Sequence, residues 1–586
     1  MSLMSNLYLG NSGLRIASNS LNTTAHNVTN ADTDGYTRQQ VSLSTSPYVT
    51  ISKQYAIGYS QLGLGVNYAE TRQVRDYFLD VNFRKESGRS EFYDTSVDAL
   101  HQVEDILGES NGGISFSEAM KNLWTAAQEL IKDPCNEVNQ NLLVTRSHEF
   151  VTQATNVYNS LCDYQLNLNT TIRDGVKDIN DLANRLEELN NTIVKIEGGD
   201  VEHANDLRDE RNYILDKLGT YGNISWTENL EGYVSVQFEG VDLVKGGIVN
   251  EMDIWQDPNT EFNHVFWSQF AEYEKTMDQG VEVRTVIKET VPDAYVFDLN
   301  RPISSELSTD VGSLKAALYA RGDHNATFKD LQDEQAYEEK ISQSVLMNVE
   351  AEFDSLIHNI TTSINSILMD AADKSEADFP GAANYLKNPD GTYLQLFQLK
   401  VPADGNEISP ANRTAGSTDS IHDEQLDFYW NGTSNHADSE GLMVYPNDGF
   451  TISNIKINMD LRQSPSLLGF RLADGQEDRA TMERLSTAFT EEVYTLNPKV
   501  TTPVSFTTFY NSMVSQVASS GEVYSTIKDA QDQTVNSIEN ARQQILGVNT
   551  DEELTFMIQF QNAYNAASRY INVVDEMLEH LLTTLG

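Results

Sequence analysis

Apolar residues at the two ends of the chain fall on the same seven-residue repeat. Leu7, Leu14, Leu21 and Val28 recur every seven positions, and the small residues Gly10, Ala17, Thr24 and Ala31 stand three places after each. Met557, Tyr564, Ile571, Leu578 and Leu585 repeat in the same way, with Phe560, Ala567, Val574 and Leu581 in the intervening places. Such a/d spacing predicts a helix with one apolar seam at each terminus. Neither helix can bury its own seam, so the termini are expected to pair with each other, with neighbouring copies, or both. The small residues of the first helix would let a bulky seam come close.

Between the ends the pattern alternates between helical and extended spacing. Asp32-Thr33-Asp34-Gly35 stops the first helix with an Asp-Gly turn. Tyr36 to Tyr48 and the run near Gly63 to Val66 read as extended. Helical spacing returns from Arg72 to Leu107 and from Ser117 to Ile131, where Asp133-Pro134 ends it. Ile172, Ile179, Leu186 and Ile193 continue a long helix that Gly198-Gly199 turns back into Leu207–Leu218. After Gly222, Val234, Val236 and Phe238 alternate with polar residues, and β character is expected to about Leu299. Gly312 opens a second helical block, Ala371 to Gly475 reads as an inserted β segment, and helical spacing resumes at Thr481.

The predicted class is therefore an α+β multidomain chain, with terminal helices forming a coiled-coil stem, a discontinuous helical-bundle domain and inserted β-rich domains. The expected boundaries are 1–66 with 546–586 for the stem; 67–221, 310–370 and 478–545 for the helical domain; and 222–309 and 371–477 for the β-rich domains. At 586 residues the chain is too long for a single core.

Charge sharpens this layout. Lys+Arg 40 against Asp+Glu 87 gives a net charge of −47, which argues against nucleic acid and anionic membranes as partners. Residues 1–50 are neutral, with only Arg15, Arg38, Asp32 and Asp34, whereas 371–450 holds thirteen acids against four bases. A neutral end suits packing against other chains and an acidic middle suits solvent. No apolar window is long enough to span a bilayer and no Sec-type leader is visible, so the chain reads as cytoplasmic or exported by another route. Cys135 and Cys162, both in helical-looking sequence, read as free thiols buried or half-buried.

Candidate chemistry is sparse. His148-Glu149 and Glu202-His203 are adjacent pairs that diverge on a helix, so a metal site is not expected. The acid that would close a calcium loop begun at Asp32 falls at Val41. Gly63-Leu64-Gly65 lacks the third glycine of a dinucleotide fingerprint. No nucleophile elbow is present, carboxylate pairs arise from composition alone, and no cofactor is implied. The chain does not read as an enzyme.

The N-terminal run then carries a resemblance. Ser12-Gly13-Leu14 and Asn27-Val28-Thr29-Asn30-Ala31-Asp32-Thr33-Asp34-Gly35-Tyr36-Thr37-Arg38-Gln39 resemble the signature of the flagellar rod, hook and hook-associated axial proteins. Its motif positions here are Asn27, Asn30, Thr33, Gly35, Tyr36, Arg38 and Gln39; the family usually has alanine where Thr29 stands. Glu553-Leu554, Gln561, Ala563-Tyr564, Asp575-Glu576-Met577-Leu578 and Leu581-Leu582 are similar to the family's C-terminal axial helix. Chain length and the interior runs Asn205 to Arg211, Gly240 to Val244, Gly312-Ser313-Leu314 and Ile452 to Ile455 favour a hook-associated member over a rod, hook or filament subunit.

The resemblance implies a structural protein at the hook–filament junction, secreted through the flagellar type III channel to the extracellular flagellum. It implies a ring of about eleven copies, with hook protein and hook-associated protein 3 as neighbours. Leu7, Leu14, Leu21 and Val28 would form the assembly interface with Met557, Phe560, Tyr564, Ile571, Val574, Leu578 and Leu581. An export chaperone would hold Ile571 and Leu578 before secretion. The alternatives are an adhesin displaying the acidic 371–477 insertion, or another axial protein such as the hook protein.

Overall fold

The computed structural model describes residues 3–54, 58–108, 114–199, 203–258, 260–278, 281–287, 290–378, 385–388, 393–400 and 449–585. The chain opens with helix α1 (Leu3–Thr29). Strands β1 (Gln39–Thr45), β2 (Val49–Gln54), β3 (Gly58–Leu62) and β4 (Val66–Gln73) then form two nested antiparallel pairs, β1 with β4 and β2 with β3. Helices α2 (Tyr77–Gly108), α3 (Phe116–Lys132), α4 (Glu137–Glu197) and α5 (Asn205–Tyr221) follow.

Sequence determines where these helices start. The Ser115 hydroxyl accepts from the Glu118 amide at 3.1 Å, and the Asn136 side chain accepts from Val138 at 2.9 Å, each satisfying an N-terminal amide that the helix itself leaves open. Pro134 separates α3 from α4. Cys135 lies in that turn, where a helix was expected, because the cap residues on either side fix a break. Both thiols are free and half-buried.

β5 (Ile224–Glu228), β6 (Val234–Phe238), β7 (Val241–Lys245) and β8 (Ile248–Val249) make a four-stranded antiparallel meander. β9 (Met252–Gln256) pairs with β10 (Asn263–Trp267), and β11 (Tyr273–Asp278) with β12 (Val281–Val286). Regular strands end there, short of the Leu299 expected: the described residues beyond form turns and a 3-10 segment at Pro292–Ala294. Helices α6 (Ser313–Arg321), α7 (Val345–Asp378), α8 (Arg479–Ala488), α9 (Phe506–Leu546) and α10 (Thr550–Leu585) complete the main elements.

Two hydrophobic cores organise the interior, and α4 belongs to both. Its 61 residues, about 90 Å at 1.5 Å per residue, place Leu143 to Leu168 in the first core and Ile172 to Ile193 in the second. The first core gathers the end of α2, α3, α7 and the start of α9. The second packs α4, α5 and α6 against the strands around Val234, Phe238 and Trp267. The segment 371–477, expected as a β-rich domain of its own, sends Phe397, Phe450, Ile455 and Leu461 into the first core. Its described strands are only β13 (Phe397–Leu399) and β14 (Ile455–Ile457), which pair antiparallel. Three-residue strands cannot bury a face alone and depend on the helices for cover. The acidic stretch 401–448 lies outside the described residues. No helix among the described residues is long and apolar enough to cross a membrane.

The first core also encloses three carboxyl groups of α7: Glu350, Glu352 and Asp354. Glu350 accepts from the Ala326 amide at 3.0 Å and from Gln165 at 3.2 Å; Asp354 accepts from the amides of Phe328 at 2.9 Å and Ile452 at 2.6 Å. Glu352 accepts from Asn497 at 2.8 Å. One oxygen each of Glu350 and Glu352 has no hydrogen-bond partner. Burial outweighs these bonds and pushes Glu350 up to about 8, Glu352 to about 7 and Asp354 to about 6.

All three hold their protons more tightly folded than unfolded. Their stabilisation is complete below about pH 4 and is lost as pH rises through the folded values. Glu350→Gln removes the costliest charge. At about pH 8.5 it is expected to stabilise the protein by roughly 1–3 kcal/mol, the range for relieving an unpaired buried acceptor, with the gain vanishing near pH 4. Urea unfolding of both proteins at the two pH values checks this, and a gain independent of pH would refute it.

Candidate assembly interface at the chain termini

Helices α1 and α10 run antiparallel. A Cβ added to Gly10 would stand 2.7 Å from Ile571 Cγ1 and 3.0 Å from the Tyr570 ring, and one added to Gly13 would stand 3.7 Å from Ala567 Cβ. Further along, the Asn27 amide donates to Glu553 at 3.1 Å. Gly10, Ala17, Ser20, Thr24 and Asn27 form the buried row of α1, so the side facing α10 is the small-residue side. The α10 backbone can therefore approach closely.

The bulky positions behave differently. Leu7, Leu14, Leu21 and Val28 are only half-buried, as are Met557, Phe560, Ile571 and Leu578, while Val574 is fully covered. Tyr564 and Leu581, expected in the seam, are 38% and 42% exposed. The register explains both. It carries Leu581 past the start of α1, and it brings Tyr564 to the level of Ala17, whose methyl cannot cover a phenol ring. A second apolar row on α10, including Leu554, Ile558, Val573 and Met577, is also exposed. It lies outside the a/d places, so a search for one seam passes over it; counting apolar residues on every face of α10 would find it.

The turn after α1 locks this pair to the rest of the chain. Asn27 uses its whole amide: Oδ1 accepts from the Gln39 backbone at 3.0 Å and from the Tyr36 hydroxyl at 2.8 Å, while Nδ2 donates to the Gln39 carbonyl at 2.9 Å and to Glu553. Arg38 donates to the other Glu553 oxygen at 2.8 Å, and its backbone amide donates to Leu546 O at 2.9 Å. The Glu553 carboxylate is almost wholly buried between them.

Asn30 and Thr33 shape the turn, since the Thr33 amide donates to Asn30 O at 3.0 Å and Tyr36 to Thr33 O at 3.1 Å. Gly35 adopts φ +77° there, with the Tyr213 ring against it, so a side chain would meet both backbone strain and a neighbour.

A second layer joins this turn to α5. Gln39 donates to Asp206 at 2.9 Å, the Thr37 amide to Asp209 at 3.1 Å and Gln73 to Asp209 at 2.7 Å. Burial pushes Asp209 up to about 6 against the opposing pull of the Thr37 bonds. Burial, and then the charges of Asp209, Asp206 and Glu553, raise the Tyr36 phenol as well. The two sequence runs that carried the family resemblance, Asn27–Gln39 and Asn205–Arg211, thus meet in space. Among the described residues no group of three His, Cys, Asp or Glu side chains could hold a metal.

The model of the flagellar hook-associated protein FlgK helical domain matches residues 100–379, and that of the flagellar basal body rod FlgEFG protein C-terminal region matches residues 542–584. Flagellar hook-associated protein 1 of Bacillus subtilis (strain 168) is 26% identical over 580 residues, covering 97% of this chain and 95% of that protein. The chain is thus similar to flagellar hook-associated protein 1 along nearly its whole length.

The Escherichia coli (strain K12) protein of that name is 21% identical over 592 residues, covering 97% of this chain and 98% of its own. The solved flagellar hook junction protein FlgK from Burkholderia pseudomallei shares the fold, with a TM-score of 0.50 and 12% identity. That match covers 79% of this chain and 99% of the solved one.

The register of the helix pair is directly testable. The 3.7 Å separation at Gly13 and Ala567 lies within disulfide range. In a background with Cys135 and Cys162 replaced by serine, a Gly13→Cys/Ala567→Cys chain is expected to cross-link as a monomer on mild oxidation. Adding Gly10→Leu, which collides with Ile571, is expected to cut the yield by roughly tenfold, the consequence of an overpacking penalty above about 1.4 kcal/mol. Non-reducing electrophoresis reads both, and cross-linking that forms only between chains would overturn the intrachain pair.

Proposed function

We propose that this chain is a structural subunit of the bacterial flagellum that forms the junction between hook and filament and assembles through its terminal helices. The observation that carries the reading is the half-open seam of α10. One face of that helix is closed by α1, while Leu554, Ile558, Tyr564, Val573, Met577 and Leu581 remain exposed along it. Each such side chain is already about half covered and gains on the order of 1 kcal/mol on full burial, so the six together favour association. Similarity to hook-associated protein 1 along nearly the whole chain supports the place of assembly.

In this reading Leu7, Leu14, Leu21 and Val28 and the α10 residues Met557, Phe560, Tyr564, Ile571, Val574, Leu578 and Leu581 pack between copies as well as within one. The copies close a ring of about eleven through head-to-tail contacts. Hook protein lies on one side of the ring and hook-associated protein 3 on the other, outside the cell. Before secretion an export chaperone covers Ile571 and Leu578, because an exposed apolar helix face is an aggregation hazard and fits a groove on a partner. The role is mechanical rather than catalytic.

Removal of residues 556–586 is expected to leave a soluble, folded monomer that cannot join the flagellum. The double variant Ile558→Asp/Met577→Asp is the sharper test. Both sites face solvent in the single chain, so monomer stability should change by no more than about 0.5 kcal/mol, while filament attachment is lost. Electron microscopy of cells carrying each variant reads the outcome, and normal hook–filament junctions built from either would refute assembly through α10.

A further inference from the structure

A cleft of about 680 Å³ opens where β4, the start of α2, α5 and β5 come together. Its wall holds Arg72, Arg75, Tyr77, Arg208, Arg211 and Trp226, a concentration of cations in a chain whose net charge is −47. The Tyr77 and Trp226 rings lie 5.6 Å apart, and the Arg84 guanidinium stacks 4.0 Å from the centre of Trp226.

Several donors there are unspent. Arg211, 2% exposed, gives Nη1 to the Gly232 carbonyl at 2.6 Å and Nη2 to Glu228 at 3.1 Å, yet its Nε has no hydrogen-bond partner. Arg84, equally buried but stacked on Trp226 rather than lining the cleft, gives Nε to Asp216 at 2.6 Å, and its Nη1 has none. At the rim Arg72 is exposed and makes no side-chain hydrogen bond or ion pair among the described residues. The acids that share the cleft are already engaged: Glu70 with His203 at 3.1 Å, Asp80 with Arg75 at 3.0 Å, and Glu228 with Arg208 at 2.7 Å. Burial lowers both Arg84 and Arg211 from the ordinary arginine range, as expected of guanidinium groups whose charge is incompletely matched.

We propose that this cleft is an oxyanion site and that its occupant is a carboxylate side chain from a second copy of this chain. Guanidinium donors suit a planar carboxylate, and an aromatic wall excludes water from the contact. Three things favour a second copy. The chain is strongly acidic, so any neighbouring copy presents carboxylates. A head-to-tail ring contact sets two different patches of the same chain against each other, which lets a basic cleft meet an acidic surface. Exposed Tyr77, which lines the cleft, and its exposed neighbour Phe78 in the chain supply apolar area for such a contact. The occupant rests on the ring reading above; the oxyanion chemistry does not.

Two measurements separate these. In purified full-length protein, inorganic phosphate at constant ionic strength is expected to change the Trp226 fluorescence saturably, with the signal absent in Trp226→Phe and binding weakened at least about fivefold in Arg72→Gln, the loss of one charge-assisted contact. No saturable change, or one indifferent to Arg72→Gln, would overturn the oxyanion site. In flagellated cells, Arg72→benzoylphenylalanine followed by irradiation is expected to join two copies of this chain through a peptide carrying Asp or Glu. If the chain is present in flagella but cross-links to another protein, or to nothing, the second-copy occupant is wrong. If the chain is absent from flagella, the ring reading itself fails.

Discussion

The Glu553 carboxylate is the point on which the terminal architecture turns. It is a buried charge, and such a charge is tolerable only when fully matched. Here the match comes from Asn27, at the end of the first helix, and from Arg38, just before the strand that follows. A residue near the C-terminus thus fixes the angle at which the N-terminal helix leaves its turn, and the Arg38–Leu546 backbone bond fixes where α9 gives way to α10. Removing any one of the three groups strands the others in a site with little water. The two chain ends, more than five hundred residues apart in sequence, therefore share one local geometry.

That geometry explains why the helix pair is closed on one side only. The row of Gly10, Ala17 and Thr24 gives α1 a flat face, and α10 settles against it as far as Ile571 and the Tyr570 ring allow. Two helices, however, cannot enclose two seams that each span several turns, because a pair offers every helix only one neighbour. The remaining apolar surface is a geometric consequence of pairing small against large. It is also what a subunit requires if its ends are to be completed by other subunits.

Much of this could be read from the sequence. The heptads give both helices, and the small residues identify which side of α1 would accept a partner; the Asp-Gly turn and the nested order of helical and β segments are legible for the same reason, since spacing and turn chemistry are local. Glu553 is not legible: among 87 acids nothing in the sequence distinguishes a buried carboxylate from a solvated one. The exposure of Tyr564 and Leu581 depends on an antiparallel register that spacing does not contain. The described flanks of the 371–477 segment show a related effect. Its Gly, Pro and Asp punctuation breaks the helical period and suggests a separate unit, yet Phe397, Phe450 and Ile455 are placed by what they pack against. The α7 carboxyls lie on a helix whose apolar spacing is correct, so their burial shows only once α3, α4 and α9 surround it.

The helix shared by the two cores has a mechanical meaning. Between Leu168 and Ile172 it passes from one core to the other without a break, and this waist is braced by polar contacts, with Asn169 bonded to the Glu261 carbonyl and Arg321 bonded to Asn169. Turning one core against the other must bend or unwind an unbroken α-helix and part those bonds together, whereas the terminal pair meets the body through the layer of side-chain bonds between its turn and α5. The unbroken helix therefore resists relative rotation of the two cores more than a connection through turns would.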